Sequence, residues 1–250
     1  MFNLIASELF KIGKSKVTYV IGSVFAFMAL VQIVAYASMA SMEEMIGQIT
    51  GIRGMMTPLE GDLSYIIISI FVTIIVCQDF ATGSIRQIIG KGCSKIKYVF
   101  AKYIAMVLVI VVFMASYSLI DFIGFSAIGS VGDFNSESIK QIMIFGLGAF
   151  SMILGYAAII EFICILFKKN TIAIPLSLLF TFVGGMVAQL IFYFTENEKI
   201  FQYWLSNMSA SFCVFEVEIS QKMIYIAIFL VIAIVFSALS AFIFHKKDIE

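Results

Sequence analysis

Six long apolar runs dominate the chain, at residues 17–40, 63–77, 103–127, 139–167, 171–194 and 223–244, with short polar stretches between them. A helix rises about 1.5 Å per residue, so a hydrocarbon core of ~30 Å takes ~20 residues to cross. Five runs reach that length. The run at 63–77 falls short and is completed by Asp62, Gln78 or their neighbours at the two interfaces. None of the runs alternates apolar and polar residues as the ~10-residue strands of a membrane barrel do. The pattern therefore predicts an all-α, polytopic membrane protein: one domain over 1–250 with six transmembrane helices.

Two polar segments carry helical periodicity of their own. In 1–16, Phe2, Ile5, Ala6, Leu9, Phe10 and Ile12 share one face at 100° per residue. Asn3, Ser7, Glu8, Lys11, Lys14 and Ser15 share the other, with Leu4 the exception. That arrangement predicts a helix lying in the headgroup plane with its cations toward anionic lipid; an ordinary amphipathic start to the first span has the same geometry. In 78–97, Ala81, Ile85, Ile88 and Ile89 repeat at helical spacing while Arg86, Gln87 and Lys91 point elsewhere. Gly90 and Gly92 end this short helix, and Ser94 is placed to cap the next. The segment is either a surface suited to docking a partner or a basic loop serving topology alone.

Composition agrees with the spans: 62% of residues are hydrophobic and 13% charged, against about half and a quarter in soluble domains. The net charge of zero conceals a strong asymmetry. Lys11, Lys14, Lys16, Arg86, Lys91, Lys95, Lys97, Lys102, Lys168, Lys169, Lys246 and Lys247 fall in one set of alternate segments, 12 of the 16 basic residues. Only Arg53, Lys140, Lys199 and Lys222 fall in the other, together with ten of the 16 acids: Glu43, Glu44, Glu60, Asp62, Asp133, Glu137, Glu196, Glu198, Glu216 and Glu218. The basic set is cytoplasmic by the positive-inside rule, which places both termini in the cytoplasm. The first run follows a charged stretch without a small-residue cleavage site, so no signal peptide is expected.

Catalytic and metal-binding patterns are missing from the sequence. Cys77, Cys93, Cys164 and Cys213 lack CxxC spacing and read as apolar thiols. Gly90-Lys91 fails as a phosphate-binding loop because Ile85 stands at the first glycine position and Gly92 at the hydroxyl position. Gly13-Lys14-Ser15 fails because Glu8 occupies that glycine position. Glu43-Glu44 resembles the EExxxR motif of intramembrane proteases, but Gln48 replaces the arginine, and the lone His245 lies in the basic tail. The chain is thus not expected to be an enzyme or to carry a cofactor or metal, and nucleic acid is not among its expected partners. Two carboxylates lie within spans. Asp121 falls near the outer interface, and Glu161 lies about 9–10 Å of helix rise inside Lys168-Lys169. Glu161 is either an interhelical hydrogen-bonding group or a pathway residue coupled to protons. Gly22-x-x-x-Ala26, Ser151-x-x-x-Gly155 and Gly184-Gly185 offer close helix approach. The segment 195–222 sets Phe201, Tyr203, Trp204, Phe212 and Phe215 among four glutamates, which fits an interfacial or re-entrant cap as well as bilayer anchoring.

Asp79-Phe80-x-x-Gly83-Ser84-Ile85-Arg86, followed by Gly92-Cys93-Ser94-Lys95 and Lys102, resembles the loop between the second and third spans of ABC-2-type ABC transporter permeases. Ser84 stands for the usual threonine and Lys95 for the commoner arginine. The amphipathic N-terminal helix, the six spans and the basic tail extend the resemblance, and the chain is similar in size to small permeases of bacitracin export and lantibiotic self-protection. The resemblance implies a subunit of the bacterial plasma membrane that pairs with an identical or homologous permease and binds separate cytoplasmic ATPase subunits. It also implies that Ile85, Arg86, Ile88 and Ile89 lie on the coupling helix that seats in the ATPase. The cargo would be an amphipathic antimicrobial peptide, a drug or a lipid. An ion-gradient-driven secondary transporter is the alternative.

Overall fold

The computed structural model describes residues 1–39, 49–60, 62–195 and 202–246. Glu43, Glu44, Gln48, Glu196, Glu198, Lys199, Phe201 and Lys247 lie outside them. The described residues form helices and their connections, with one isolated bridge between Thr50 and Ser130. Among them, six helices are long and apolar enough to span a membrane.

The helix α1 (Phe2–Lys14) ends at Ser15, whose extended backbone turns the chain into the first span, α2 (Lys16–Met39). A short helix α3 (Gly51–Met56) and a 3-10 turn (Thr57–Leu59) precede the second span, α4 (Leu63–Ala81). Next come the loop helix α5 (Ser84–Gly90) and the third and fourth spans, α6 (Lys95–Ile128) and α7 (Ser136–Phe167). The fifth span α8 (Asn170–Thr195), a short helix α9 (Leu205–Ala210) and the sixth span α10 (Ile219–Lys246) complete the fold.

Several boundaries differ from the apolar runs, for one physical reason. Gln78, Asp79, Phe80 and Ala81 are helical and complete the second span. The third helix begins at Lys95, not at Tyr103. Its first turns carry lysines whose aliphatic stems cover apolar surface while Tyr98 and Val99 are buried. The loop proper is therefore 82–94, shorter than the 78–97 segment. Likewise α8 runs to Thr195 and α10 starts at Ile219, which narrows the aromatic connection.

The spans α4 and α7 are the most enclosed; α2, α8 and α10 turn most of their surface outward. Lipid offers apolar side chains no advantage in leaving it, so contact geometry and internal hydrogen bonds must hold the helices together. Tyr65, Ser69 and Thr73 recur at four-residue spacing on one face of α4. Ser69 bonds the Tyr156 hydroxyl of α7 at 2.6 Å. That hydroxyl also bonds Thr181 of α8, while Thr73 meets Ser177 at 3.5 Å. Tyr65 donates to Ser209 of α9 at 2.5 Å, and Tyr117 joins α6 to α2 by donating to Gln32 at 2.6 Å. The small residues act where close approach requires it. A Cβ on Gly22 would stand 3.2 Å from the Phe113 ring, and one on Gly155 would stand 2.9 Å from the Phe229 carbonyl oxygen of α10.

At the face opposite the termini, α3 folds back against α6. Gly54 makes this possible: an added Cβ would lie 2.5 Å from Phe125. Thr57 then donates to the buried Asp121 carboxylate at 2.7 Å. Within the aromatic segment, Trp204 packs on Gly184, where a Cβ would meet its ring at 2.2 Å. Leu205, Met208 and Phe212 are buried among the spans, whereas Tyr203 and Phe215 are exposed. The described part of this segment is therefore packed into the protein through these three residues.

Gly155→Leu should strongly destabilise the detergent-solubilised protein, since overpacking costs about 1–3 kcal/mol or more where backbone opposes it. Gly146→Ala meets no atom within 4 Å and should be neutral or stabilising by up to about 1 kcal/mol through helix propensity. Thermal unfolding midpoints of the two variants measure the contrast.

Candidate functional site

A buried charge cluster lies where α1, α4 and α6 converge on the basic side. Asp79 occupies the last turn of α4, where the final carbonyls already concentrate partial negative charge. Its carboxylate is 1% exposed and is compensated from several directions. Lys102 Nζ reaches Asp79 Oδ2 at 2.5 Å, and the Tyr98 hydroxyl donates to the same oxygen at 2.5 Å. Lys11 of α1 pairs with Oδ1. Ser84, the first residue of α5, donates to Oδ1 at 3.4 Å. Tyr98 and Lys102 are four residues apart on α6 and so share one face.

Glu8 completes the cluster. It accepts from Lys102 Nζ at 2.9 Å and is buried. The face of α1 read as uniformly polar is therefore divided. Glu8 and Ile12 turn into the protein, while Phe2 and Phe10 are 87% and 68% exposed on the lipid-compatible side. A membrane-proximal carboxylate can be buried here because a lysine from another helix reaches it. Two carboxylates face two ammonium groups, so the cluster is neutral.

The loop helix sits on this cluster. Gly83 adopts the left-handed conformation, φ 69°, which turns the chain out of α4 and into α5. Gly92, φ 87°, makes the second turn before α6. Ile85 is 2% exposed and packs with Tyr98, Val99, Ile165, Ala241 and Phe244, residues of α6, α7 and α10. Ile88 and Ile89 are half-buried at the margin of that group, and Arg86 and Gln87 are exposed. The structure thus separates four residues grouped by sequence. Ile85 is an internal anchor, Arg86 is presented outward, and Ile88 and Ile89 lie between. Ser94 stands at the N-terminus of α6, but its side chain makes no capping bond.

Glu161 joins this region from α7. It is 1% exposed, and its Oε2 has no hydrogen-bond partner among the described residues. It lines a narrow space with Lys102, Tyr98, Ile85 and Phe244, between the loop helix and the charge cluster. The sequence placed Glu161 within a span but gave no indication of these neighbours. It also missed Glu8 and Tyr98 as members of the site. The available signals were the four-residue spacing of Tyr98 and Lys102 and an acid ending an apolar span.

The arrangement can transmit force. A load applied to the exposed side of α5 passes through Ile85 to α6, α7 and α10, and through Ser84 and Asp79 to α1, α4 and α6. A sequence model of the family described as ABC-2 family transporter protein matches residues 4–184, which include the charge cluster, the loop helix and Glu161. No curated protein matches the chain.

Lys102→Met should destabilise the protein by about 3–5 kcal/mol, because it leaves the buried Glu8 without its lysine and Asp79 with Lys11 as its remaining cation. Glu8→Gln in that background should recover part of the loss, with a coupling of about 0.5–3 kcal/mol between directly paired residues. Unfolding midpoints of the two single variants and the double variant give that coupling.

Proposed function

The chain belongs to the ABC-2 family of transporter proteins and is a membrane-spanning subunit of such a transporter; from that premise we propose that it is an exporter permease driven by separate ATPase subunits. In this reading the basic side is the cytoplasm of a bacterial cell and both termini lie there, as the distribution of lysine and arginine supports. The ATPase docks on the outward side of α5, around Arg86 and Gln87, with Ile88 and Ile89 at its edge. The observation that carries the proposal is the double attachment of α5: exposed polar residues on one side, and Ile85 buried among three spans on the other. A helix serving topology alone would need no such anchor. A second permease subunit, identical or homologous, completes the transporter. The outward faces of α2 and α8 are the surfaces available for it, including Phe27, Val31, Leu179, Phe182 and Met186.

The cargo is an amphipathic, membrane-active compound such as an antimicrobial peptide, a drug or a lipid. Supporting this, a cavity of about 380 Å³ lies between α6 and α7 and is lined by Met55, Val111, Met114, Phe145, Phe150 and Ile153. Walls of this kind accept varied apolar ligands, since methionine adapts its shape at low cost. The unpaired Oε2 of Glu161 favours one competing reading, ion-gradient-driven transport, and the two readings part experimentally.

Arg86→Glu should weaken ATPase association by about 2 kcal/mol, roughly thirtyfold, if Arg86 is an interface hot spot. The folded permease should keep its unfolding midpoint, and pull-down in mild detergent reads the association. Retained association together with retained transport would remove α5 as the docking element. In a sensitive bacterium expressing chain and ATPase, protection against cationic peptides should vanish when ATP hydrolysis is disabled. It should persist with Glu161→Gln at equal expression. The reverse pattern, with loss on collapse of the proton gradient, would establish the ion-driven alternative.

A further inference from the structure

The elbow between α1 and α2 contains a cavity of about 380 Å³ with both apolar and cationic lining residues. Ile12, Val17 and Ile75 form its apolar floor, Lys11, Lys14, Lys16 and Lys102 supply cations, and Ser15, Gln78 and Asp79 complete the lining. We propose that this cavity binds an anionic phospholipid from the leaflet on the basic side, with its phosphate between Lys14 and Lys16 and the start of its acyl chains over the apolar floor.

The charge count locates the phosphate. Lys11 and Lys102 are engaged by Asp79 and Glu8. Lys14 and Lys16 have no ion pair among the described residues; the Lys14 ammonium lies 5.8 Å from the centre of the Phe10 ring. Two cations thus remain at the mouth of a cavity whose carboxylate is already balanced. The single negative charge of a phosphodiester, shared by its two non-bridging oxygens, can pair with both, leaving one net positive charge at the site. The depth is fixed independently, because the cavity sits where a helix with an exposed Phe2 and Phe10 stripe turns into a spanning helix. An amphipathic helix of this type lies at the boundary of headgroups and acyl chains. The apolar floor selects a lipid over a free anion, since free phosphate would gain nothing from Ile12, Val17 and Ile75. Ser15 and Gln78 can hydrogen-bond a hydroxylated headgroup such as glycerol. Lys11, whose side chain is 41% exposed, belongs to both the cavity and the charge cluster. The bound phosphate therefore adjoins the Lys11–Asp79 pair and touches the cluster from the lipid side.

The test uses the full-length permease purified in mild detergent, with added phosphatidylglycerol or phosphatidylcholine and retained lipid counted by native mass spectrometry. Wild type should retain phosphatidylglycerol in preference to phosphatidylcholine. A basic residue beside an anionic lipid contributes about fivefold in affinity, so Lys14→Gln with Lys16→Gln should weaken retention about 25-fold. Arginine at both positions should preserve it. Lys95→Gln with Lys97→Gln, on the same side of the protein, should leave it unchanged. Equal retention by the Lys14/Lys16 double variant would overturn the site, as would an equal loss in the Lys95/Lys97 control. Displacement of the lipid by inorganic phosphate at matched concentration would show a free-anion site instead. ATPase pull-down with the Lys14/Lys16 variant should be unaffected, which separates failure of this inference from failure of the docking assignment.

Discussion

The carboxylate of Asp79 is shut off from water in the last turn of α4, where the helix itself already presents negative ends. An isolated charge could not remain ionised there, so the surroundings are arranged to meet it. Lys102 comes from α6 and Lys11 from α1, while Tyr98 and Ser84 donate hydroxyl bonds. Glu8 accepts a second hydrogen bond from the Lys102 ammonium. Such a cluster adds little net stability over an apolar substitute of the same shape. What it does fix is geometry, because moving any one of the three helices strands a charge.

The bilayer sets the terms for the remaining contacts. Helices surrounded by lipid gain nothing from burying leucine against leucine, so the fold relies on hydroxyl bonds and small residues. The Tyr65, Ser69 and Thr73 row ties α4 to its neighbours at several depths. Gly155 brings α7 against the backbone of α10. These contacts make α4, α7 and α10 a stiff body that ends beneath the loop helix. The lipid-facing helices are tied in the same way, α8 through Thr181 and Ser177 and α2 through Gln32.

The sequence was most legible where a single physical rule dominated. Length and hydropathy found all six spans, and the periodicity of 1–16 and of Ala81, Ile85, Ile88 and Ile89 found both short helices near the basic side. Side-chain partnership across distant segments was not legible. Glu8 read as a polar-face residue because nothing local announces Lys102, and Ile85 read as a partner contact although it faces the protein's own spans. Helix boundaries slipped for a related reason. Lys95, Lys97 and Lys102 looked like loop residues, yet their long stems allow a helix to continue through them.

The central claim is that the charge cluster makes the loop helix and the spans move together. Spin labels at Lys91, at the exposed C-terminal end of α5, and Ser138 at the far end of α7, in a cysteine-free background with the proposed ATPase bound, allow pulsed electron resonance to follow that link between ATP-free and ATP-trapped states. The account predicts a nucleotide-dependent change in the distance distribution in the parent protein, and its loss in a folded Lys102→Gln variant that still binds the ATPase. An unchanged nucleotide response in that variant would contradict it.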